Sequence, residues 1–198
     1  MTETEWLACH DPQPMLEFVR KTGSVRSLRL FSCGCLRLVH DLPWELGKAV
    51  DYTEKGVDCL LRNSEMVTRI RKLAFEMNIR DVHELPWSLI DVPIQSARSA
   101  FRYFCMRQPT GSSELVALFR CVFGNPFRPV IVDPVWLTST VVDLAWANYV
   151  YRDFDRLSIL ADALEDAGCT DREILDHCRL PGPHVRGCWV VDLVLGKE

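Results

Sequence analysis

Five side chains of the types that bind transition metals lie close together near the C-terminus, in the stretch CTDREILDHCRLPGPHVRGC. They are Cys169, His177, Cys178, His184 and Cys188. Structural zinc takes four sulfur or nitrogen ligands in a tetrahedron, commonly paired at short spacing. His184 and Cys188 are four residues apart, which puts them on one face if the segment is helical. A small zinc-binding protein that uses this tail is therefore one hypothesis.

The alternative is a packed helical tail without any cofactor. The sequence has no Cys-x-x-Cys pair, which is the strongest sequence signal for zinc. In this interpretation the tail cysteines are small buried apolar residues and the two histidines lie at the edge of a loop. The missing pair favours this alternative, so the sequence predicts no cofactor and leaves zinc as the second interpretation.

Nucleophilic chemistry by a thiolate is a further option for the same residues. Cys178 or Cys188 could be activated by His184, because an imidazole accepts the thiol proton. The sequence contains no GxGxxG, Walker loop, HExxH or GxSxG motif. A nucleotide-binding enzyme is therefore disfavoured, and an enzyme with a dispersed site is the third functional hypothesis.

Helix signals recur along the chain and predict the elements that must position these residues. N-terminal caps are expected at the following residues: Thr2 (with Glu5), Asp11, Ser24, Thr138, Asp155 and Thr170 (with Glu173). Further helices are predicted over residues 44–62 and after Ser64, Pro93 and Ser112, and GCWVVDLVLG is expected to be a final buried helix. Residues 125–134, with three prolines, read as a loop.

These patterns predict an all-α protein with a single-domain bundle of roughly nine packed amphipathic helices over residues 1–198. The best candidate for a sub-division is 107–113, which reads as a helix connection. In the third helix an apolar stripe is expected at residues spaced by three or four: Val25, Leu28, Phe31, Cys35, Leu38 and Leu42.

Composition narrows the classes of partner. Apolar residues make up 48% and charged residues 25% of the chain. Arg26, Arg29 and Arg37 share one flank of a helix, but the net charge of the chain is −4, so nucleic acid is an unlikely partner. No membrane span and no secretory signal are recognisable. Nine irregularly spaced cysteines do not suggest a disulfide framework. We expect a cytoplasmic protein.

Two long stretches carry a resemblance. The head TETEWLACHDPQPMLEFVR with SLRLFSCGCLRLVHDL, and the tail FGNPFRPVIVDPVWLTSTVVDLA with ILDHCRLPGPHVRGCWVVDLVLGKE, resemble a large paralogous family of planctomycete proteins. The resemblance covers residues 1–42 and 119–198 and implies no activity, ligand or catalytic residue. Heads in that family often read ACACCRR where this chain has SCGCLRL, so Leu36 stands in place of a cysteine.

The leading functional hypothesis is a non-enzymatic interaction or regulatory module that binds a protein partner. It is based on the absence of catalytic motifs and on a tail rich in apolar and acidic residues. Six tryptophans are expected to anchor helix packing, and any that is exposed would mark a contact surface. They are Trp6, Trp44, Trp87, Trp136, Trp146 and Trp189.

Overall fold

The computed structural model describes residues 1–58, Thr68, Lys72 and 93–197. Within these residues the chain forms ten α-helices and two short 3-10 helices, and no strand. The α-helices are α1 (Glu3–Ala8), α2 (Pro12–Thr22), α3 (Val25–Arg37), α4 (Trp44–Asp58), α5 (Pro93–Arg107), α6 (Ser112–Phe123), α7 (Ser139–Tyr151), α8 (Leu157–Asp166), α9 (Arg172–Arg179) and α10 (Trp189–Leu195). The all-α prediction is confirmed. The helix expected after Ser64 lies outside the described residues.

Five of the ten described α-helices begin at a short polar side chain that caps them. Thr2 and Glu5 form the predicted capping box, and the side chains of Asp11, Ser24 and Thr138 each accept a hydrogen bond from a backbone N–H of the first turn. Such a bond satisfies one of the N–H groups that lack a partner at a helix start. These four predicted starts are confirmed.

Two predicted starts are wrong. The cap of α9 is Asp171 and not Thr170, because the Asp171 carboxylate accepts from the N–H groups of both Glu173 and Ile174. Asp155 does not cap α8, since it lies inside a 3-10 turn, Phe154–Arg156, that leads directly into the helix. A 3-10 turn can satisfy the first N–H groups without a side-chain cap.

Helix α3 lies at the centre of the bundle and packs against α4, α5 and α6. Leu28, Phe31 and Cys35 are buried as predicted, but Val25 in the first turn is exposed and the helix ends before Leu42. Gly34 allows close approach of α6, because a Cβ at this position would lie 2.8 Å from a methyl carbon of Leu118. The central helix therefore depends on a small residue at one contact.

The C-terminal helices form the other part of the same core. Helix α8 packs against α7 and α9, and α10 packs against α6, α7 and α9. The buried apolar residues on both sides of the 107–113 connection belong to one continuous hydrophobic cluster. The end of the chain is therefore built into the core through α6 and α7.

Two basic residues of α3, Arg26 and Arg37, are engaged in ion pairs. Arg26 pairs with Asp58 and Asp192, and Arg37 pairs with Asp51 and Glu54. These pairs join α3 to α4 and α10, so both guanidinium groups serve contacts between helices.

The described tryptophans differ in burial, and Trp136 and Trp189 are partly buried and packed against the core. Trp6 is fully buried and donates its Nε1–H to the carbonyl of Gly124 at 3.1 Å, so its predicted anchoring role is confirmed. Trp44 and Trp146 are 63% and 53% exposed, so the prediction that they anchor packing is wrong. Trp87 lies outside the described residues. Within the described part of the chain, no helix combines the length and apolarity that a membrane crossing requires.

Candidate metal centre

Four side chains from separate parts of the C-terminal half point towards a common centre. They are Cys121, His177, His184 and Cys188. Their sulfur and ring nitrogen atoms all lie within 4.8 Å of one another. Two sulfurs and two imidazole nitrogens form the Cys₂His₂ ligand set typical of structural zinc.

The distances fit a tetrahedral ion. Zinc bonds of about 2.3 Å to sulfur and about 2.1 Å to nitrogen place neighbouring ligand atoms roughly 3.3–3.8 Å apart. The Nε2 atom of His177 lies 3.2 Å from the sulfur of Cys188, and the Nδ1 atom of His184 lies 3.7 Å from the sulfur of Cys121. Both separations are close to those a bound zinc would require.

Cys121 belongs to the last turn of α6. This helix packs against α2, α3 and α10, and its apolar faces are buried among them. The side chain of Cys121 is 2% exposed. The most distant ligand in sequence is therefore held by a helix fixed on several sides.

His177 lies in the last turn of α9, which Asp171 caps at its start. The buried face of α9 consists of Ile174, Leu175 and Cys178. His177 lies beside that face and is half-buried, with its ring 5.4 Å from the ring of Trp189. The helix thus turns this imidazole towards the start of α10.

His184 follows the LPGP segment that ends α9. Its Nε2 atom lies 3.2 Å from the carbonyl oxygen of Leu180. If Nε2 carries the proton and donates to this carbonyl, Nδ1 has a free lone pair on the side of Cys121. Histidines that bind metals commonly have such a second partner, which fixes the tautomer and the ring orientation.

Cys188 is the residue before α10 and is completely buried. It closes a turn in which its N–H donates to the carbonyl of Val185. Gly187 makes this turn possible because its φ is +98° and a Cβ there would lie 2.8 Å from Cβ of Leu30. Only glycine meets both requirements without strain.

The two thiols differ in protonation. Burial raises the pKa of Cys121 well above its usual value, and the nearby Cys188 sulfur raises it further. Burial alone would also raise the pKa of Cys188. The hydrogen bond with Cys121, the charge and hydrogen bond of His177 and the hydrogen bond of His184 outweigh burial and lower that pKa. The pocket therefore favours a thiolate at Cys188, which is the form that binds metals.

His184 responds in the opposite sense. Burial lowers its pKa, but its hydrogen bond and charge interaction with Cys188 raise it, and the net direction is upward. The cluster thus stabilises the charged forms of both groups, the Cys188 thiolate and the His184 imidazolium, relative to the same groups without each other. A divalent cation would replace the proton of that pair.

One side of the cluster is open. A pocket of about 240 Å³ is lined by Cys121, His177 and His184 together with the turn Leu180–Pro183. Because Cys188 does not line this pocket and is fully buried, a metal or a small reagent would reach the cluster past Cys121, His177 and His184.

Three of the five predicted ligands, His177, His184 and Cys188, are brought together by the fold. Cys169 and Cys178 are not part of the cluster, and both are buried among apolar residues. Cys178 follows His177 directly on α9, so its side chain points about 100° away around the helix axis. It faces the core with Ile174 and Leu175.

Cys121 completes the set and was missed by sequence reasoning. It precedes His184 by 63 residues and has no other cysteine or histidine close by in the chain. The hypothesis of a Cys–His pair has a counterpart in the structure. Cys188 lies 3.2 Å from His177 and also interacts with His184, and His184 lies 3.7 Å from Cys121.

Comparisons of the chain with protein-family models, with curated proteins and with solved structures give no match.

Proposed function

We propose that this protein binds one zinc ion through Cys121, His177, His184 and Cys188, and that the ion fixes the C-terminal segment to the helical core. The observation that supports this proposal is the convergence of two sulfurs and two ring nitrogens within 4.8 Å. Zinc suits this mixed set of borderline ligands, whereas magnesium and calcium prefer oxygen.

The proposed role of the ion is structural. Catalytic zinc sites usually have three protein ligands and leave one position for water, whereas structural sites have four protein ligands. The ligands also come from α6, α9, the loop after α9 and the start of α10. An ion bound to all four would therefore join three helices and a loop.

Native mass spectrometry of protein reconstituted with zinc under reducing conditions tests this proposal. We expect one zinc per chain for the wild type and for the control Cys169→Ser, whose cysteine is equally buried but lies outside the cluster. His184→Gln should bind zinc at least ten-fold more weakly, because it removes a ligand from a half-buried loop position. Wild-type protein that binds no zinc would overturn the proposal, as would unchanged affinity in His184→Gln.

The interaction module is a second candidate function, and an exposed aromatic face on α7 supports it. Trp146 is 53% exposed, and Val150 and Tyr151 in the next turn are also exposed. Exposed aromatic residues are enriched where proteins bind one another. To test this candidate, the proteins that co-purify with wild type and with Trp146→Ser are identified by mass spectrometry. Sedimentation velocity of each variant, with and without these proteins, then measures the binding. An identical set of bound proteins for both variants would contradict it.

A cytoplasmic location stays a prediction. It is compatible with the proposed site, because thiolate ligands persist in a reducing compartment.

A further inference from the structure

The two cysteines of the candidate centre also form a pair. Their sulfur atoms lie within 4.8 Å of each other, and a disulfide needs a separation of about 2.05 Å, so the two sulfurs would have to approach by no more than about 3 Å. All eight cysteines of the described residues are free thiols, and Cys121 and Cys188 are the two that share the cluster with His177 and His184.

Each sulfur has an imidazole partner. His177 contacts Cys188 at 3.2 Å, and His184 approaches Cys121 at 3.7 Å. The two imidazole rings meet edge to face, with their centres 5.0 Å apart. The two sulfurs therefore belong to one compact group of four side chains.

A small oxidant has a route to one of the two sulfurs. Cys121 lines the open pocket of about 240 Å³, whereas Cys188 does not line it and is fully buried. The geometry therefore gives the two residues different roles, with Cys121 meeting the oxidant and Cys188 reacting second.

We propose that Cys121 and Cys188 form a disulfide when hydrogen peroxide reaches the metal-free centre, and that zinc and this disulfide are alternative links between α6 and the start of α10. That zinc and the disulfide are alternative links rests on the proposed function. Formation of the disulfide does not depend on the proposed zinc site.

The reaction balances in two steps. The sulfur of Cys121 attacks one oxygen of hydrogen peroxide, a sulfur–oxygen bond forms, the oxygen–oxygen bond breaks, and the departing hydroxide takes the proton of the Cys121 thiol to become water. The Cys188 thiolate then attacks the Cys121 sulfenic acid, a sulfur–sulfur bond forms, and the second oxygen leaves as water after protonation. Two thiols are oxidised and one peroxide is reduced to two waters.

Either link would hold the same two elements together. Zinc would do so through all four side chains, and the disulfide would do so through the two sulfurs alone. Oxidation would therefore release the zinc, since both sulfurs would lose their capacity to bind it as thiolates, and would leave the tail attached to α6.

Peptide mapping of the wild-type protein gives a direct test. Trypsin cleaves after Arg120 and Arg186 and does not cleave the Arg128–Pro129 bond, so the expected linked peptides are 121–152 and 187–197. Each contains a single cysteine, so the link can be assigned without ambiguity. Metal-free protein treated briefly with a small excess of peroxide should give this linked pair, and a dithiol reductant should remove it.

A second arm uses zinc-loaded protein and limiting peroxide, with released zinc read by a chromogenic chelator. We expect one zinc released per linked pair and at least ten-fold slower linkage than in metal-free protein. Cys169→Ser should behave like the wild type, and Cys121→Ser should give no linked pair while retaining helical circular dichroism.

The outcomes separate the two proposals. Zinc binding together with sulfinic acid at Cys121, or with a link to a different cysteine, would overturn the disulfide and leave the zinc site standing. Linkage at the same rate with and without added zinc, in a protein that retains no zinc, would overturn the zinc site and leave the disulfide standing. Failure of both the linked pair and zinc binding would overturn both.

Discussion

The Nδ1 atom of His184 lies 3.7 Å from the sulfur of Cys121, although 63 residues separate them in the chain. Helix α6 carries the cysteine, and the loop after α9 carries the histidine. The contact exists because α10 packs directly against α6 and α9. An ion bound between these two residues would therefore link the C-terminal segment to helix α6 of the core.

The first prediction is that zinc raises the stability of the folded protein. Free zinc at a hundred times its dissociation constant would add about 2.7 kcal/mol to the free energy of unfolding. For a domain of this size that corresponds to a rise in Tm of roughly 5–10 °C. Differential scanning fluorimetry with zinc and with chelator measures it. Cys169→Ser should show the same rise and His184→Gln should show almost none; equal rises in all three proteins would contradict the prediction.

The second prediction concerns the turn before Cys188. Gly187→Ala would place a methyl group 2.8 Å from Cβ of Leu30 at a φ of +98°. Strain and overpacking together should lower the free energy of unfolding by about 2–4 kcal/mol. Chemical denaturation of the variant measures this change.

Gly182→Ala is the matched control in the same tail. A Cβ at Gly182 meets no atom within 4 Å, so the change should stay within about 0.5 kcal/mol. Similar losses at Gly182 and Gly187 would show that the turn at Gly187 has no special requirement.

The third prediction concerns a buried carboxylate. Glu54 is 2% exposed and forms ion pairs with Arg37 and Arg152, which come from α3 and from the end of α7. Glu54→Gln removes the charge and leaves two guanidinium groups with only Asp51 as a shared partner. Breaking a buried ion pair by removing one member costs about 3–5 kcal/mol.

Urea denaturation of Glu54→Gln measures that cost, with Glu165→Gln as the control. Glu165 pairs with Arg179 at the surface, where removal of one partner should cost less than about 1 kcal/mol. A loss at Glu54 no larger than that at Glu165 would contradict the prediction.

The fourth prediction is a dependence of stability on pH that comes from Asp192. Its carboxylate accepts two hydrogen bonds from Arg26, at 2.5 and 3.1 Å. Burial nevertheless raises its pKa from 3.8 to about 6, and Arg26 offsets only part of this rise. Between these two pH values the folded protein binds more protons at this residue than the unfolded chain does. The free energy of unfolding should therefore fall by roughly 1–3 kcal/mol as the pH rises through this window.

Asp192→Asn should remove this part of the slope, because the amide does not titrate. Urea denaturation at several pH values between about 4 and 7 measures the slope for both proteins. The difference between the two slopes is the readout, since the variant also loses an ion pair and will be less stable overall. Parallel slopes would show that Asp192 does not titrate in this range.

Local sequence signals predicted most of the helix starts and the all-α class. The caps at Thr2, Asp11, Ser24 and Thr138 are confirmed, because a cap bonds only to residues two or three positions away. The same locality explains the error at Thr170. Two adjacent residues could both cap α9, and the one whose side chain reaches two N–H groups is Asp171.

The candidate site was predictable only in part. His177, His184 and Cys188 lie within a short stretch that also forms a helix and a tight turn, so the chain alone brings them near one another. The sequence could not distinguish Cys178 from His177 as a ligand, because that choice depends on which face of α9 packs against α8. The resemblance to planctomycete proteins stays a prediction and does not bear on this choice.

By itself the sequence determined the class of fold and most helix starts, since these depend on hydrogen bonds and periodicities that span a few residues. It also indicated five candidate ligand residues in one stretch, of which the fold brings three together. The tertiary structure alone decided that Cys121 joins them and that Cys169 and Cys178 do not. It also decided that Trp44 and Trp146 are exposed. These outcomes depend on which helix faces fit together across the core, and such packing depends on shapes contributed by residues far apart in the chain.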